Sequence, residues 1–168
     1  MRPANQPREP KTPAARLMAP AGPRIGHGMS EIPADFPDRY RITDPHDPFE
    51  TGAGPFYSPV DDGGDPRVVL KAEPGHCNTS GAIHGGLLMT MADLALCAEA
   101  NREMPEERSI TISLNSEFVA AGQAGDFVVA RAEVIRRTGS MVFVRGQIRA
   151  GDRVLLNSSA VVKRVKRG

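Results

Sequence analysis

From residue 85 onward the apolar positions of this chain fall into two periods. Leu87, Leu88, Met91, Leu94, Ala95 and Ala98 recur at the three- and four-residue spacing of one helix face, within a run of good helix formers. Gly85-Gly86 opens that run and Pro105 closes it, so a helix is predicted from about Gly85 to Glu103. Beyond it the period drops to two. Ile110, Ile112, Leu114, Ser116 and Phe118 alternate with Thr111, Ser113, Asn115, Glu117 and Val119, which predicts a half-buried strand. Val142, Val144, Gly146 and Ile148 alternate with Phe143, Arg145, Gln147 and Arg149 and predict another. Asp126 to Arg136 and Val154 to Val162 complete a meander through turns at Thr138-Gly139 and Gly151-Asp152. Upstream, Phe56 to Val60 is short and extended, and Arg67 to Glu73 is β-rich behind the turn sequence of residues 61–66. One long apolar helix followed by antiparallel strands predicts an α+β fold in which the sheet wraps the helix.

Residues 1–48 lack both periods. Proline and alanine interrupt them repeatedly, so this part is expected to be a flexible or surface-draped tail, with the domain itself in residues 49–168. Met29 offers an alternative start, which makes residues 1–28 an upstream extension. Residues 30–48 carry more acids together with Phe36 and Tyr40, and are a candidate for a short segment packed on the sheet. A chain of 168 residues with 40% hydrophobic content suffices for one core. Its net charge of +1 and few aromatic residues give no basis for a nucleic-acid partner. No window has the length and apolarity of a membrane span, and the N-terminus lacks the apolar core of a secretory signal, so no membrane association is expected. Two cysteines are too few for a disulfide framework, which points to a reduced, cytoplasmic protein.

The chemistry concentrates between His76 and Asp93. Gly85 and Gly86 precede the helix, so its first turn offers unpaired backbone N–H groups at the positive end of the helix dipole, a setting suited to a developing oxyanion. Asp93 interrupts the apolar face, an unfavourable place for a carboxylate without a task. Taken singly, a His-Gly-Gly turn is usually just a tight start to a helix and a lone Asp is usually solvated. Their combination, with Asn78 upstream, favours a functional reading. Cys77 with His76 or His84 would make a nucleophile–base pair or part of a metal site, but no third orienting group and no full ligand set accompanies them, so no metal is expected. Cys97 in mid-helix reads as a small core hydrophobe. Arg136-Arg137-Thr138-Gly139-Ser140 falls at a hairpin tip and is by default a solvated turn, and Lys163 to Arg167 reads as a solubilising end, with phosphate contact as the lesser alternative.

The pattern Asn78-x5-His84-Gly85-Gly86-x6-Asp93, followed by the strand that carries Thr111 and Phe118, resembles the hotdog-fold acyl-CoA thioesterases of the phenylacetate-pathway, or PaaI-like, group. The similarity runs from roughly Phe49 to the C-terminus. It implies an antiparallel sheet wrapped around one long central helix, hydrolysis of an acyl-CoA substrate, no cofactor beyond the coenzyme A of that substrate, and a homodimer, often paired into a tetramer, with sites at the subunit interface. It further implies Asp93 as base or nucleophile, Gly85 N–H as the group polarising the thioester carbonyl, Asn78 as its support, and Gly86 as a substrate-binding neighbour. His84 takes a positioning role and Thr111 helps to hold the attacking water. The hairpin residues Arg136, Arg137 and Ser140 would lie near the nucleotide end of coenzyme A, where paired arginines suit phosphates.

Distance along the helix agrees with a shared site. Gly85 and Asp93 are eight residues apart, or about 12 Å at a rise of ~1.5 Å per residue, whereas both groups must come within roughly 3 Å of one thioester carbon. Two antiparallel helices across a two-fold axis meet that condition. Two other activities remain open at this point: a hotdog enoyl-CoA hydratase or dehydratase, which typically pairs a catalytic His with an acid at a different spacing, and a non-catalytic acyl-CoA-binding module.

Overall fold

A computed structural model describes residues 36–60, 67–104 and 106–166. Most of the Pro-rich tail, residues 1–35, and the turn at 61–66 lie outside them. In chain order the elements are β1 (Tyr40–Ile42), α1 (Pro48–Ala53), β2 (Tyr57–Pro59), β3 (Arg67–Lys71), α2 (Gly85–Asn101), β4 (Glu107–Phe118), β5 (Phe127–Arg137), β6 (Met141–Ala150) and β7 (Arg153–Lys166). Among the described residues the strands form one seven-stranded sheet, ordered β1-β2-β3-β5-β6-β7-β4, with every neighbouring pair antiparallel. The chain is a hotdog fold, with the sheet curled around α2. β5, β6 and β7 form the expected meander, and β4 joins it at the far edge, beside β7. No helix among the described residues is long and apolar enough to cross a membrane.

Burial of one helix against the sheet holds this arrangement. Leu88, Met91, Ala92, Ala95, Leu96 and Ala100 of α2 are almost fully buried and pack with Val68, Leu70, Val128, Val142, Val144, Ile148, Leu156 and Val162 of the strands. Each large side chain so buried contributes about 1.5–3 kcal/mol, well above what helix propensity supplies. The buried face is rotated from the expected one. Ala98 is exposed and Leu94 half-buried, while Ala92, Leu96, Glu99 and Ala100 are buried, because the sheet curls around both flanks of Met91. Asp93 therefore lies at the border of the apolar face rather than inside it. The helix also ends two residues before Glu103, in a tighter turn that Arg102 N–H closes onto Glu99 O at 3.4 Å.

A bulge in β4 corrects a second expectation. The unbroken alternation Ile110, Ile112, Leu114 predicts that all three face the core, but the register shifts between Thr111 and Ser113. Ile110 and Ile112 are consequently 46% and 55% exposed, whereas Ser109, Thr111, Leu114 and Ser116 are half-buried. One inserted residue reverses the facing of a strand, so Thr111 points toward the helix side and the two isoleucines away from it.

The N-terminal part of the described chain covers the other face of the sheet. Phe36 meets Tyr40, Tyr57 and Phe127 edge-to-face, with ring centroids 5.1, 5.1 and 5.3 Å apart, over buried Val69 and Val129. The segment around Phe36 and Tyr40 thus packs on the sheet, and β1 lies upstream of Phe49. Asp47 starts α1 by accepting from Phe49 N and Glu50 N, with Pro48 in the first turn, where its missing N–H costs nothing.

Gly146 sets how closely α2 approaches β6. A Cβ there would stand 2.8 Å from Arg131 O and 3.2 Å from Leu96 Cδ2. Gly146→Val is expected to lower unfolding free energy by roughly 1–3 kcal/mol, as overpacking does, with the loss read from a denaturant midpoint. A variant as stable as the parent would contradict this close approach.

Candidate active site

The loop ahead of α2 is built by its own polar groups. Asn78 Oδ1 accepts from Ser80 N at 2.9 Å and Ala82 N at 3.3 Å, and Gly81, at φ 78°, completes the turn in the left-handed region. The observed hydrogen bonds of Asn78 thus stay within its loop. His76 Nδ1 accepts from Glu73 N at 2.9 Å, which leaves the proton on Nε2 to donate to Gly54 O at 3.2 Å. Cys77 Sγ donates to Glu73 O at 3.7 Å. With both His76 nitrogens engaged on backbone groups, Cys77 and His76 are not arranged as a nucleophile and its base.

His84 N–H donates to His76 O at 2.9 Å, and this seats His84 as the N-cap of α2. Its Nδ1 accepts from Gly86 N at 3.0 Å, a task usually given to Ser, Thr, Asp or Asn. A Cβ at Gly86 would come within 3.0 Å of that same nitrogen. Gly85 differs from Gly86. Its N–H meets no acceptor among the described residues, as expected of the first helical position. Phe118, from the end of β4, lies over it, 3.1 Å from where a Cβ would be.

Asp93 sits two turns further along α2 and faces β4. Thr111 Oγ1 donates to Asp93 Oδ1 at 2.5 Å, and Cys97 Sγ lies 3.3 Å from the same Thr111 oxygen. Burial pushes the Cys97 thiol up from its ordinary pKa, the Thr111 hydrogen bond offsets part of this, and the Asp93 charge adds to it. Two cavities flank α1 on the same side of the helix. One, of about 370 Å³, is lined by Asp93, Met89, Leu94, Asp47, Glu50 and Phe49, among others. The second, of about 350 Å³, includes His84, Gly86, Leu87, His76 and again Phe49.

The hairpin tip is at the other end of α2. Arg137 Nη1 donates to Ala100 O at 2.6 Å and Nη2 to Glu99 O at 3.4 Å, while Nε pairs with Glu103 at 3.3 Å. The guanidinium therefore covers the Ala100 carbonyl at the helix end and adds a second donor to Glu99 O, which Arg102 N–H already meets. Arg136 is exposed beside the β5 bulge, and the Ser140 carbonyl accepts from Arg164 N at 2.8 Å.

The residues singled out by sequence thus form three groups along one helix: His84, Gly85 and Gly86 at its start, Asp93 with Thr111 in its middle, and Arg136, Arg137 and Ser140 at its end. Sequence reading missed Phe118 over Gly85, Phe49 between the cavities, and the contact of Cys97 with Thr111. Only the last had a legible signal, because Cys97 is four residues after Asp93 and so shares its helix face.

Residues 80–157 match the model of the thioesterase superfamily. A Pseudomonas aeruginosa protein provisionally named an esterase is 29% identical over 134 residues, covering 79% of this chain and 97% of its own. Among solved structures, a mutant of the phenylacetic acid degradation protein PaaI from Thermus thermophilus superposes with a TM-score of 0.62 at 23% identity, covering 71% of this chain and 100% of that one. A Bacillus halodurans protein solved with CoA gives a TM-score of 0.56 at 22% identity, covering 59% of this chain and 66% of that one. The fold implied by the resemblance that Asn78, His84, Gly85, Gly86 and Asp93 carry is borne out, and the family match covers the stretch that holds His84, Gly85, Gly86 and Asp93.

Arg137 and Arg136 should separate in a stability measurement. Arg137→Ala leaves two helix carbonyls without their charged donor and is expected to cost roughly 1–3 kcal/mol of unfolding free energy, while exposed Arg136→Ala stays within about 0.5 kcal/mol of the parent. Equal denaturant midpoints for the two variants would remove Arg137 from the role of helix cap.

Proposed function

We propose that this chain, with its match to the thioesterase superfamily, hydrolyses an acyl-CoA thioester to the free acid and CoA in a site shared by two copies of the chain. The observation that carries this reading is the pairing, on one helix, of an open Gly85 N–H at the start with an Asp93 carboxylate held by Thr111 eight residues later. The first is a donor for a developing oxyanion at the positive end of the helix dipole. The second is an acceptor able to act on water or on carbon. They are ~12 Å apart along α2, so the Asp93 that serves a given Gly85 comes from the second copy.

β4 supplies the means of assembly. It is a twelve-residue strand at the sheet edge that, among the described residues, pairs with β7 alone, and its Ile110, Ile112 and Phe118 are exposed. A long apolar edge of this kind is a template for another strand. Antiparallel pairing of two β4 strands about a two-fold axis continues the sheet and sets the two α2 helices side by side in opposite directions.

In the reaction, Gly85 N–H donates to the thioester carbonyl oxygen, with Asn78 supporting the loop that presents it. His84 keeps Gly86 N–H engaged and leaves Gly85 free. Asp93 of the second copy takes a proton from water as the water oxygen attacks the carbonyl carbon, or itself attacks to give a mixed anhydride that water then opens. The C–S bond breaks, CoA leaves as thiolate, and a proton returns to its sulfur. Thr111 fixes the carboxylate. The hairpin of a given copy lies at Ala100, about 22 Å along the helix from its own Gly85 but only ~10 Å from its own Asp93. The CoA phosphates of a substrate at Gly85 accordingly go to Arg136 and Ser140 of the copy that contributes Asp93, with Arg137 holding that hairpin to the helix.

A panel of acyl-CoA esters tests the reaction. Free CoA should appear with turnover, and Asp93→Asn should lower kcat on the order of 10²-fold or more while KM changes little. Water addition to an enoyl-CoA without CoA release, or binding without turnover, would overturn the thioesterase reading. Near-parental kcat in Asp93→Asn would overturn the assigned carboxylate.

A further inference from the structure

We propose that Cys97 is a positioning residue of this site: its thiol donates to the Thr111 hydroxyl, which donates to Asp93, and this two-bond chain holds the carboxylate in one orientation. The inference rests on the reading of Asp93 as the acting carboxylate.

Counting protons sets the direction of the chain. A threonine hydroxyl has one proton and an ionised carboxylate only accepts, so the 2.5 Å contact uses the Thr111 proton on Asp93 Oδ1. Thr111 Oγ1 can then only accept from Cys97 Sγ, 3.3 Å away, which makes the thiol the donor. Burial, the largest influence, and the Asp93 charge favour the protonated thiol and together outweigh the opposing effect of the Thr111 hydrogen bond, in keeping with that role. A hydroxyl that accepts one bond is polarised toward donating the next.

Placement gives the same answer. Cys97 follows Asp93 by four residues and stands on the same flank of α2, and the β4 bulge keeps Thr111 in the phase that faces both. On its open side Asp93 shares a cavity with Asp47 and Glu50. Those two carboxylates offer no donor, and the Thr90 hydroxyl that also lines the cavity donates to Gly86 O at 3.0 Å, so the restraint on Asp93 comes from the Thr111 side.

The competing role for Cys97 is that of a small core hydrophobe, and the two roles order substitutions oppositely. If the thiol positions Asp93, Cys97→Ser, which keeps a donor, stays within about twofold of the parental kcat, and Cys97→Val and Cys97→Ala lower kcat roughly 3- to 10-fold, the size of one hydrogen bond, with KM nearly unchanged. If it only fills space, Val and Ala match the parent and Ser is the damaging change. The measurement is loss of thioester absorbance with the full chain and its best acyl-CoA, which avoids thiol reagents. A melting curve for each variant confirms folding, and Ala guards against overpacking by Val. Val and Ala at parental kcat with Ser reduced, against an inactive Asp93→Asn, would overturn the Cys97 role alone. An active Asp93→Asn would overturn the parent reading and the Cys97 role with it.

Discussion

The rest of the molecule depends on the burial of α2 in the curl of the sheet. Leu88, Met91, Ala95 and Leu96 lose their contact with water against β3, β5, β6 and β7, and Gly146 lets the helix come close enough for that packing to be dense. A helix held in this way is a rigid ruler. Its start, its middle and its end stand at fixed heights, and each height has one group of polar residues. No side-chain motion brings Gly85 and Asp93 of one copy together across ~12 Å of buried helix. On the proposed reading, chemistry that needs both recruits the second group from a second copy, and β4, which among the described residues pairs only with β7, is the edge on which that copy would add.

The bulge between Thr111 and Ser113 links packing to chemistry. Without it, the residues of β4 facing α2 would be Ile110 and Ile112, and Asp93 would border on methyl groups. The one-residue shift turns Thr111 inward to donate to Asp93 and turns the two isoleucines out along the sheet edge. Bulges commonly re-aim a side chain in this manner beside functional sites. The same local irregularity thus supplies the hydroxyl that holds the carboxylate and part of the exposed apolar surface on which the proposed pairing of two copies rests.

Much of this was legible in the sequence. The helix at Gly85, the change of period from about 3.6 to 2 and the turns at Thr138 and Gly151 come from local side-chain chemistry, and periodicity reports them directly. The bulge was hidden because Ile110, Ile112 and Leu114 continue the alternation unbroken, and only pairing with β7 reveals the extra residue. The helix cap by His84 was hidden because His is seldom a cap. For Arg137 the sequence offered a solvated turn and, through the resemblance, a phosphate ligand, whereas its reach to the carbonyls of Glu99 and Ala100 depends on a contact 37 residues distant in the chain. The three hidden features are tertiary, and each bears on the site rather than on the fold, so the architecture was easier to read than the arrangement of its chemistry.

Reassembly of two inactive variants tests the shared site most directly. Asp93→Asn lacks the carboxylate, and Gly85→Pro lacks the N–H while keeping a residue tolerated at the first helical position. Equal amounts co-refolded give half mixed dimers, each with one intact site and one doubly damaged site if Gly85 and Asp93 come from different copies. About a quarter of parental activity should then return, with dimer formation confirmed by sizing. Activity no higher than that of the separate variants would contradict a site built from two chains.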